Sequence, residues 1–384
     1  MNLKRIREKA LRAARLMGTR SMKPRIGPER VFLQITHACN LACEFCESHG
    51  KYMKAPVTQI LTYYQDRKTM DRETALAVVR DLAEMKVEHV TLSGRGEPAI
   101  HPAVLEIIDA IQRSGMKAQL VTNGVVPDRE FARELVRMGC SSVSCSVNAA
   151  TPDTYGVVCG KDNLANGFET VTTFVRDLVE ERRARKAAVP VVEVDHVIYR
   201  HNYRDLPAMI DQACEVGIDS LDVRIMGTVD ETEFLKLDPE HREWILGVSE
   251  DFVSRLSRCR IRSEVLDFLR TIRDEERSIE TEDNLQRRVP CYAGWMEAAI
   301  GPDGAVRPCC YCDEPLGNIH VEAGFRNVWH NEAYRKMRAA ALRIHETGRP
   351  ICKECFTTCN MGPTHLRIYR RLHPFRKIRV GKQE

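Results

Sequence analysis

The chain has 384 residues, 43% of them hydrophobic and 29% charged, with a net charge of +4, which allows a large core of one or two domains in the ordinary balance of a soluble protein. No apolar run approaches the roughly 18 residues of a membrane span, and no apolar segment opens the chain as in a secretory signal, so both are argued against. Fifteen cysteines without such a signal, clustered in two short regions, point to metal ligation in a reducing cytoplasm rather than to a disulfide framework.

In chain order, residues 1–26 hold nine Lys and Arg against Glu8, and residues 365–384 hold seven against Glu384. Such basic ends are either solvated or make peripheral contact with an anionic membrane or a phosphorylated substrate. Leu3, Ile6, Ala10 and Ala13 or Ala14 recur at helical spacing, so residues 2–17 are expected to form an amphipathic helix that lies on a membrane surface or packs on the rest of the protein. The apolar run Val31–Ile35 then reads as a strand ending in a loop with Cys39, Cys43 and Cys46, spaced Cys-x3-Cys-x2-Cys. Three thiolates at the end of a buried strand, with no fourth thiol nearby, suit a [4Fe–4S] cluster with one open iron. Zinc with His37 or His49 as fourth ligand is the alternative.

An irregular stretch, Glu47 to Thr69, carries Tyr52, Tyr63 and Tyr64 and is expected to cover the cluster. Strands and helices then alternate: a helix from Asp71 with Thr69 as N-cap, strand 89–93, helix 102–114, strand 117–122, helix 128–138, strand 141–147, helix 164–186, strand 190–198, helix 204–216 and strand 219–226. Parallel βα units of this kind place ligands at the carboxyl ends of the strands. Those ends carry Ser93-Gly94-Arg95-Gly96-Glu97-Pro98, Thr122-Asn123-Gly124, Ser146 with Asn148, Asp195-His196-Val197-Ile198 and Asp222 with Arg224. Alternation sends either Asp195 with Val197 or His196 with Ile198 into the cavity, and Asp195 with Arg224 makes a candidate buried ion pair.

Residues 227–290 read as mostly helical. A second cysteine region opens at Cys291, continues through a hairpin turn at Pro302-Asp303-Gly304 to Cys309, Cys310 and Cys312, and closes with Cys352, Cys355 and Cys359. Cys140, Cys145, Cys159, Cys214 and Cys259 lie outside both groups and read as small buried hydrophobes. Cys145, near the cavity mouth, is also a candidate hydrogen-atom donor to a substrate radical.

The first loop, with Phe45 before its last cysteine, resembles the signature of the radical S-adenosylmethionine (SAM) superfamily. Gly94, Gly96, Glu97 and Pro98 match that family's GGEP motif, with Arg95 where glycine is common. Cys291, Gly304 and Cys309, followed by Cys352-x2-Cys355, resemble the family's SPASM/twitch extension. The resemblance implies an α/β fold, a partial (β/α)6 TIM-type barrel with a small cysteine-rich iron–sulfur extension. The expected division is a basic segment 1–30, a core barrel 31–230, a helical connection 231–290, an auxiliary cluster domain 291–360 and a basic tail 361–384.

The implied cofactors are a [4Fe–4S] cluster on Cys39, Cys43 and Cys46 with SAM on its open iron, and one auxiliary [4Fe–4S] cluster on Cys291, Cys309, Cys352 and Cys355. Zinc is the alternative in the second site. Phe45 is implied near the adenine, Glu97 at the SAM ammonium within the Gly94–Pro98 motif, and Asn123, Ser146 and Asn148 near SAM or substrate. Reductive cleavage of SAM would give a 5′-deoxyadenosyl radical that abstracts hydrogen from the substrate, with a flavodoxin or ferredoxin as reductant. Family peptide maturases often carry an N-terminal peptide-binding domain, and only 30 residues precede the first strand. The expected substrate is therefore a small polar molecule, a sugar, cyclitol or phosphorylated derivative, undergoing dehydrogenation or epimerisation. The alternatives are maturation of a ribosomal peptide and, from another class, a non-catalytic iron–sulfur electron carrier.

Overall fold

A computed structural model describes residues 3–19, 21–53, 69–160, 166–227, 230–273, 287–352, 355 and 361–374. Tyr63, Tyr64, Cys359 and the last ten residues lie outside these. Six strands, β1 (Arg30–Leu33), β2 (His89–Leu92), β3 (Lys117–Thr122), β4 (Ser142–Ser146), β5 (Val191–Ile198) and β6 (Ser220–Ile225), lie side by side and parallel in chain order. A two-residue strand, β7 (Arg262–Ser263), extends the sheet beyond β6, inside the stretch expected to be helical.

The extension is not a separate body. β8 (Glu297–Ile300) pairs parallel with β1, and β9 (Ala305–Arg307) turns back against β8 as the expected hairpin. With β10 (Gly317–Asn318) they complete one ten-stranded sheet, open among the described residues, in the manner of a partial barrel.

The helices follow from local signals. Helix α2 (Arg72–Glu84) starts at Asp71, whose side chain accepts the Thr74 N–H at 2.8 Å. Thr69, expected in that role, instead shares a hydroxyl hydrogen bond with Thr36. The helix expected over 164–186 is Gly167–Ala184, and a separate helix, Pro152–Cys159, precedes it. Its start was legible: Thr151 accepts the Thr154 N–H and Pro152 occupies the first turn.

The N-terminal helix, Leu3–Gly18, packs on the protein through Arg15. That guanidinium is 3% exposed, donates to the Gly27 and Lys86 carbonyls and pairs with Glu88. This resolves the two placements open to it in favour of packing.

Burial alternates strictly along β5. Val192, Val194, His196 and Ile198 lie under the helices. Glu193, Asp195 and Val197 lie on the helix-free face, so it is Asp195 with Val197 that lines the cavity. Arg224 reaches Asp195 at 3.4 Å and also Asp222, but its side chain is 58% exposed, so the pair sits at an open face rather than in a core.

Candidate active site

Two loops at the carboxyl ends of β1 and β2 lie against each other. The Glu97 N–H donates to the Ala38 carbonyl at 2.8 Å. A side chain at Gly96 would stand 2.5 Å from that same carbonyl, and one at Gly94, where φ is +150°, would stand 2.6 Å from Gln34. Only glycine permits both the approach and the conformation. The motif at the end of β2 is thus shaped to nest on the cysteine loop.

Glu97 is buried and accepts from the Ala99 N–H at 2.8 Å, the Thr122 hydroxyl at 2.7 Å and the Asn123 N–H at 2.6 Å. Burial pushes its carboxyl up, and these three donors oppose the shift. Asn123 donates onward to the Asn40 side chain at 2.7 Å. The chain Thr122–Glu97–Asn123–Asn40 therefore fixes two strand ends, those of β2 and β3, relative to the cysteine loop.

Cys39, Cys43 and Cys46 are half-buried on that loop. Burial pushes Cys39 up to about 12 and Cys46 upward; Cys43 is held well above its ordinary value, first through the neighbouring thiol of Cys159 and then through burial. Three such thiols do not ionise together unless cationic charge lies among them. Among the described residues no three Cys, His, Asp or Glu converge on a single-ion site. An all-thiolate set in which each sulfur takes its own iron fits an iron–sulfur cluster. His37, considered as a zinc ligand, lies 3.3 Å from the Gln34 side chain and is pushed down to about 4 by burial.

Five residues sit differently from expectation. Asn148, at φ +61°, accepts the Val197 N–H at 2.8 Å with its side chain, while its own N–H donates to His196 Nδ1 at 3.0 Å. It locks β4 to β5, which leaves Ser146 as the half-buried polar group on the helix-free face of β4. Cys145 pairs in register with Val194 and is fully buried under the helices, so it does not face the cavity as a hydrogen-atom donor would. Cys159, read as a plain hydrophobe, closes a helix whose Val158 carbonyl accepts the Glu44 N–H at 2.7 Å, and so stands against Cys43. Cys214 and Cys259, also read as free, form a disulfide.

In the second region the cysteines come as two pairs. Cys309 is held up by burial and then by the neighbouring Cys291 and Cys310. Cys352 and Cys355 have their sulfurs 3.4 Å apart. The Cys291 N–H donates to the Ala341 carbonyl of helix α13 (Glu332–Leu342) at 2.9 Å. Arg95, the departure from glycine in its motif, reaches Asp313 just beyond Cys312 and so bridges the two regions.

His196 supplies a pH test. Complete burial pushes it down to about 3, against about 6.5 in an unfolded chain. The unfolded chain takes the proton first, so this stability is fully present above about pH 6.5 and is lost as pH falls toward 3. Between pH 6.5 and 5 the loss is about 2 kcal/mol for one histidine. Denaturant titrations of His196→Asn, whose amide oxygen occupies the place of Nδ1 as acceptor for Asn148, are expected to show a shallower pH dependence over that range. An unchanged slope would contradict the buried, neutral imidazole.

Comparison with known proteins agrees with this geometry. A radical SAM superfamily model matches residues 33–213, and an iron–sulfur cluster-binding domain model matches residues 291–356. The chain is 25% identical over 342 residues to a PqqA peptide cyclase from Xanthomonas campestris pv. campestris, covering 85% of this chain and 79% of that protein. It is 24% identical over 346 residues to a PqqA peptide cyclase from Ruegeria pomeroyi, with the same coverage. In fold it is similar to SuiB of Streptococcus suis bound to the precursor peptide SuiA, with a TM-score of 0.58, 15% identity and coverage of 82% of this chain and 67% of that one. It is likewise similar to anSMEcpe with bound AdoMet, with a TM-score of 0.58, 15% identity and coverage of 90% and 93%.

Proposed function

From a chain that belongs to the radical SAM superfamily and carries a SPASM-type auxiliary iron–sulfur domain, we propose an enzyme that matures a precursor peptide by joining or otherwise oxidising its side chains. The observation that carries this reading is the similarity to named peptide cyclases over 85% of the chain. It corrects the expectation of a small sugar-, cyclitol- or phosphate-containing substrate and partner. The number of residues before β1 says nothing of what enters the barrel's mouth.

The enzyme uses SAM with a [4Fe–4S] cluster and an auxiliary cluster. Bound together they supply a 5′-deoxyadenosyl radical by reductive cleavage, and a route for the second electron of a two-hydrogen oxidation. For the protein side, we assign Cys39, Cys43 and Cys46 to the SAM-binding cluster and Cys291, Cys309, Cys352 and Cys355 to the auxiliary one. Phe45 would flank the adenine. Gly94, Gly96 and Pro98 would shape the loop that receives the SAM methionine end, and Glu97 would reach the ammonium with the lone pairs that Ala99, Thr122 and Asn123 leave. Asn123 and Ser146 border the cavity, while Asn148 supports it from behind. The domain limits follow as 31–230 for the core and 291–360 for the auxiliary domain. Among the described cysteines twelve stand outside any disulfide and two form one, a balance that suits a cytoplasmic enzyme. No helix among the described residues is long and apolar enough to cross a membrane.

The test is to incubate the anaerobically reconstituted, reduced protein with SAM and small peptides encoded beside its gene. The expected product has lost two hydrogens, with one 5′-deoxyadenosine formed per modified peptide. Turnover of a small polar molecule, with every such peptide untouched, would overturn the reading.

A further inference from the structure

Glu44 stands between two of the three loop cysteines and is 2% exposed. Its Oε1 accepts from the Tyr52 hydroxyl at 2.9 Å and the Lys51 ammonium at 3.1 Å. Its Oε2 accepts from the Tyr199 hydroxyl at 2.9 Å and lies 2.7 Å from His201 Nδ1. An isolated buried carboxylate is costly, so a site that gathers four donors around one has a defined geometry to keep. The donors come from two places. Lys51 and Tyr52 follow the cysteine loop, whereas Tyr199 and His201 follow β5 directly, more than 150 residues further along the chain. The loop itself is irregular: besides turn bonds such as Cys46 N–H to the Cys43 carbonyl at 2.9 Å, its backbone is held by the Glu44 N–H to the Val158 carbonyl at 2.7 Å and by its Ala38 carbonyl to the Glu97 N–H at 2.8 Å, none of which ties it to β5. The next residue, Phe45, sets its ring edge-on against Tyr199, with centroids 5.6 Å apart and planes at 67°.

We propose that Glu44 is a positioning residue for SAM cleavage. It straps the cysteine loop to the carboxyl end of β5, and thereby fixes the Phe45 ring and the spacing of Cys43 and Cys46. The strap acts through Phe45 and the cysteines and does not itself touch SAM. The amide of Glu44→Gln brings one oxygen and an NH2 group, which only donates, to a site built from donors, so one half of the strap must open. Cys43 and Cys46 keep their thiols, but the loop loses its fixed distance from β5. The proposal rests on Cys39–Cys46 being the SAM-binding cluster loop.

The experiment compares wild type, Glu44→Gln, Tyr199→Phe and Glu44→Asp as full-length, anaerobically reconstituted proteins. Glu44→Gln is expected to weaken SAM binding roughly tenfold to a hundredfold, the loss of a charge-assisted hydrogen bond. The electron paramagnetic resonance spectrum of its reduced cluster should no longer shift normally on adding SAM. Tyr199→Phe keeps the ring against Phe45 and should show a smaller effect of the same kind. Glu44→Asp keeps the charge and should recover part of the affinity. Loss of iron from the first cluster alone, in a folded Glu44→Gln protein, also supports the strap. Wild-type SAM affinity and spectra in Glu44→Gln, or weakening in Tyr199→Phe alone, overturn it. Should Glu44→Gln not fold, Tyr199→Phe decides, and wild-type behaviour there overturns the proposal. A wild-type protein that neither binds SAM nor forms 5′-deoxyadenosine would instead defeat the cluster-loop reading itself.

Discussion

Replacing Cys39, Cys43 and Cys46 together by alanine is expected to abolish 5′-deoxyadenosine formation from SAM by the reduced protein. The effect should be complete, because the reaction needs an electron delivered at the SAM sulfonium and no other thiol set lies on this loop. The fold should survive. The loop is anchored by Asn40 to Asn123, Ala38 to Glu97 and Glu44 to Tyr199, none of which passes through a ligand sulfur. Iron should fall from about eight to about four atoms per chain, the content of one remaining four-iron cluster. The remaining spectrum should not respond to SAM, since four protein thiolates leave no open iron. Continued 5′-deoxyadenosine formation in the triple variant would remove these cysteines from the site.

Arg338→Ala is expected to lower the stability of the auxiliary region by about 3–5 kcal/mol, the scale of a large-to-small core truncation that also leaves buried acceptors without a donor. Arg338 is fully buried. It donates to the Gly294 carbonyl at 2.8 Å, the Trp329 carbonyl at 2.9 Å and the Met22 carbonyl at 3.0 Å. Its guanidinium lies 4.3 Å from the Trp329 ring centre and 4.7 Å from that of Tyr334. Burial pushes it down to about 10, so it remains charged at neutral pH. Truncation leaves three carbonyls without their donor and a cavity among the rings.

The loss should also be felt in iron content. Arg338 lies on α13, whose Ala341 carbonyl holds the Cys291 N–H, so auxiliary iron should become labile while the first cluster keeps its response to SAM. Arg338→Lys should not rescue, because one ammonium does not reproduce a planar fork directed at three carbonyls. Denaturant midpoints and iron assays check both parts, and a loss under about 1 kcal/mol would show the fork to be dispensable.

The βα order and the two glycines of the Gly94–Pro98 motif were legible because they depend on local signals, namely apolar runs and a backbone that must come close to another. The helix Pro152–Cys159 was equally local, announced by Thr151 and Pro152, but was overlooked beside the longer helix that follows it. The choice between Asp195 and His196 was not legible. A strand's alternation gives two faces, and only the helices packed over Val194 and His196 say which is inside. The substrate class does not follow from the number of residues before the first strand, a quantity that carries no information about the cavity mouth.

By itself the sequence determined the radical SAM reading, through Cys39, Cys43, Cys46 and the motif at Glu97, and the presence of a second thiol-rich site beginning at Cys291. Ligand spacing within a loop is a local property, set by a few peptide units. The tertiary structure alone decided that Glu97 is held by donors from β3, that Glu44 is tied to Tyr199 and His201, that Cys159 stands against Cys43, and that β8 extends the barrel sheet beside β1. Each of these joins residues far apart in the chain, through contacts that carry no periodic signal. Their partners are chosen by the packing of the folded sheet and its helices, where a buried polar group must find a complement.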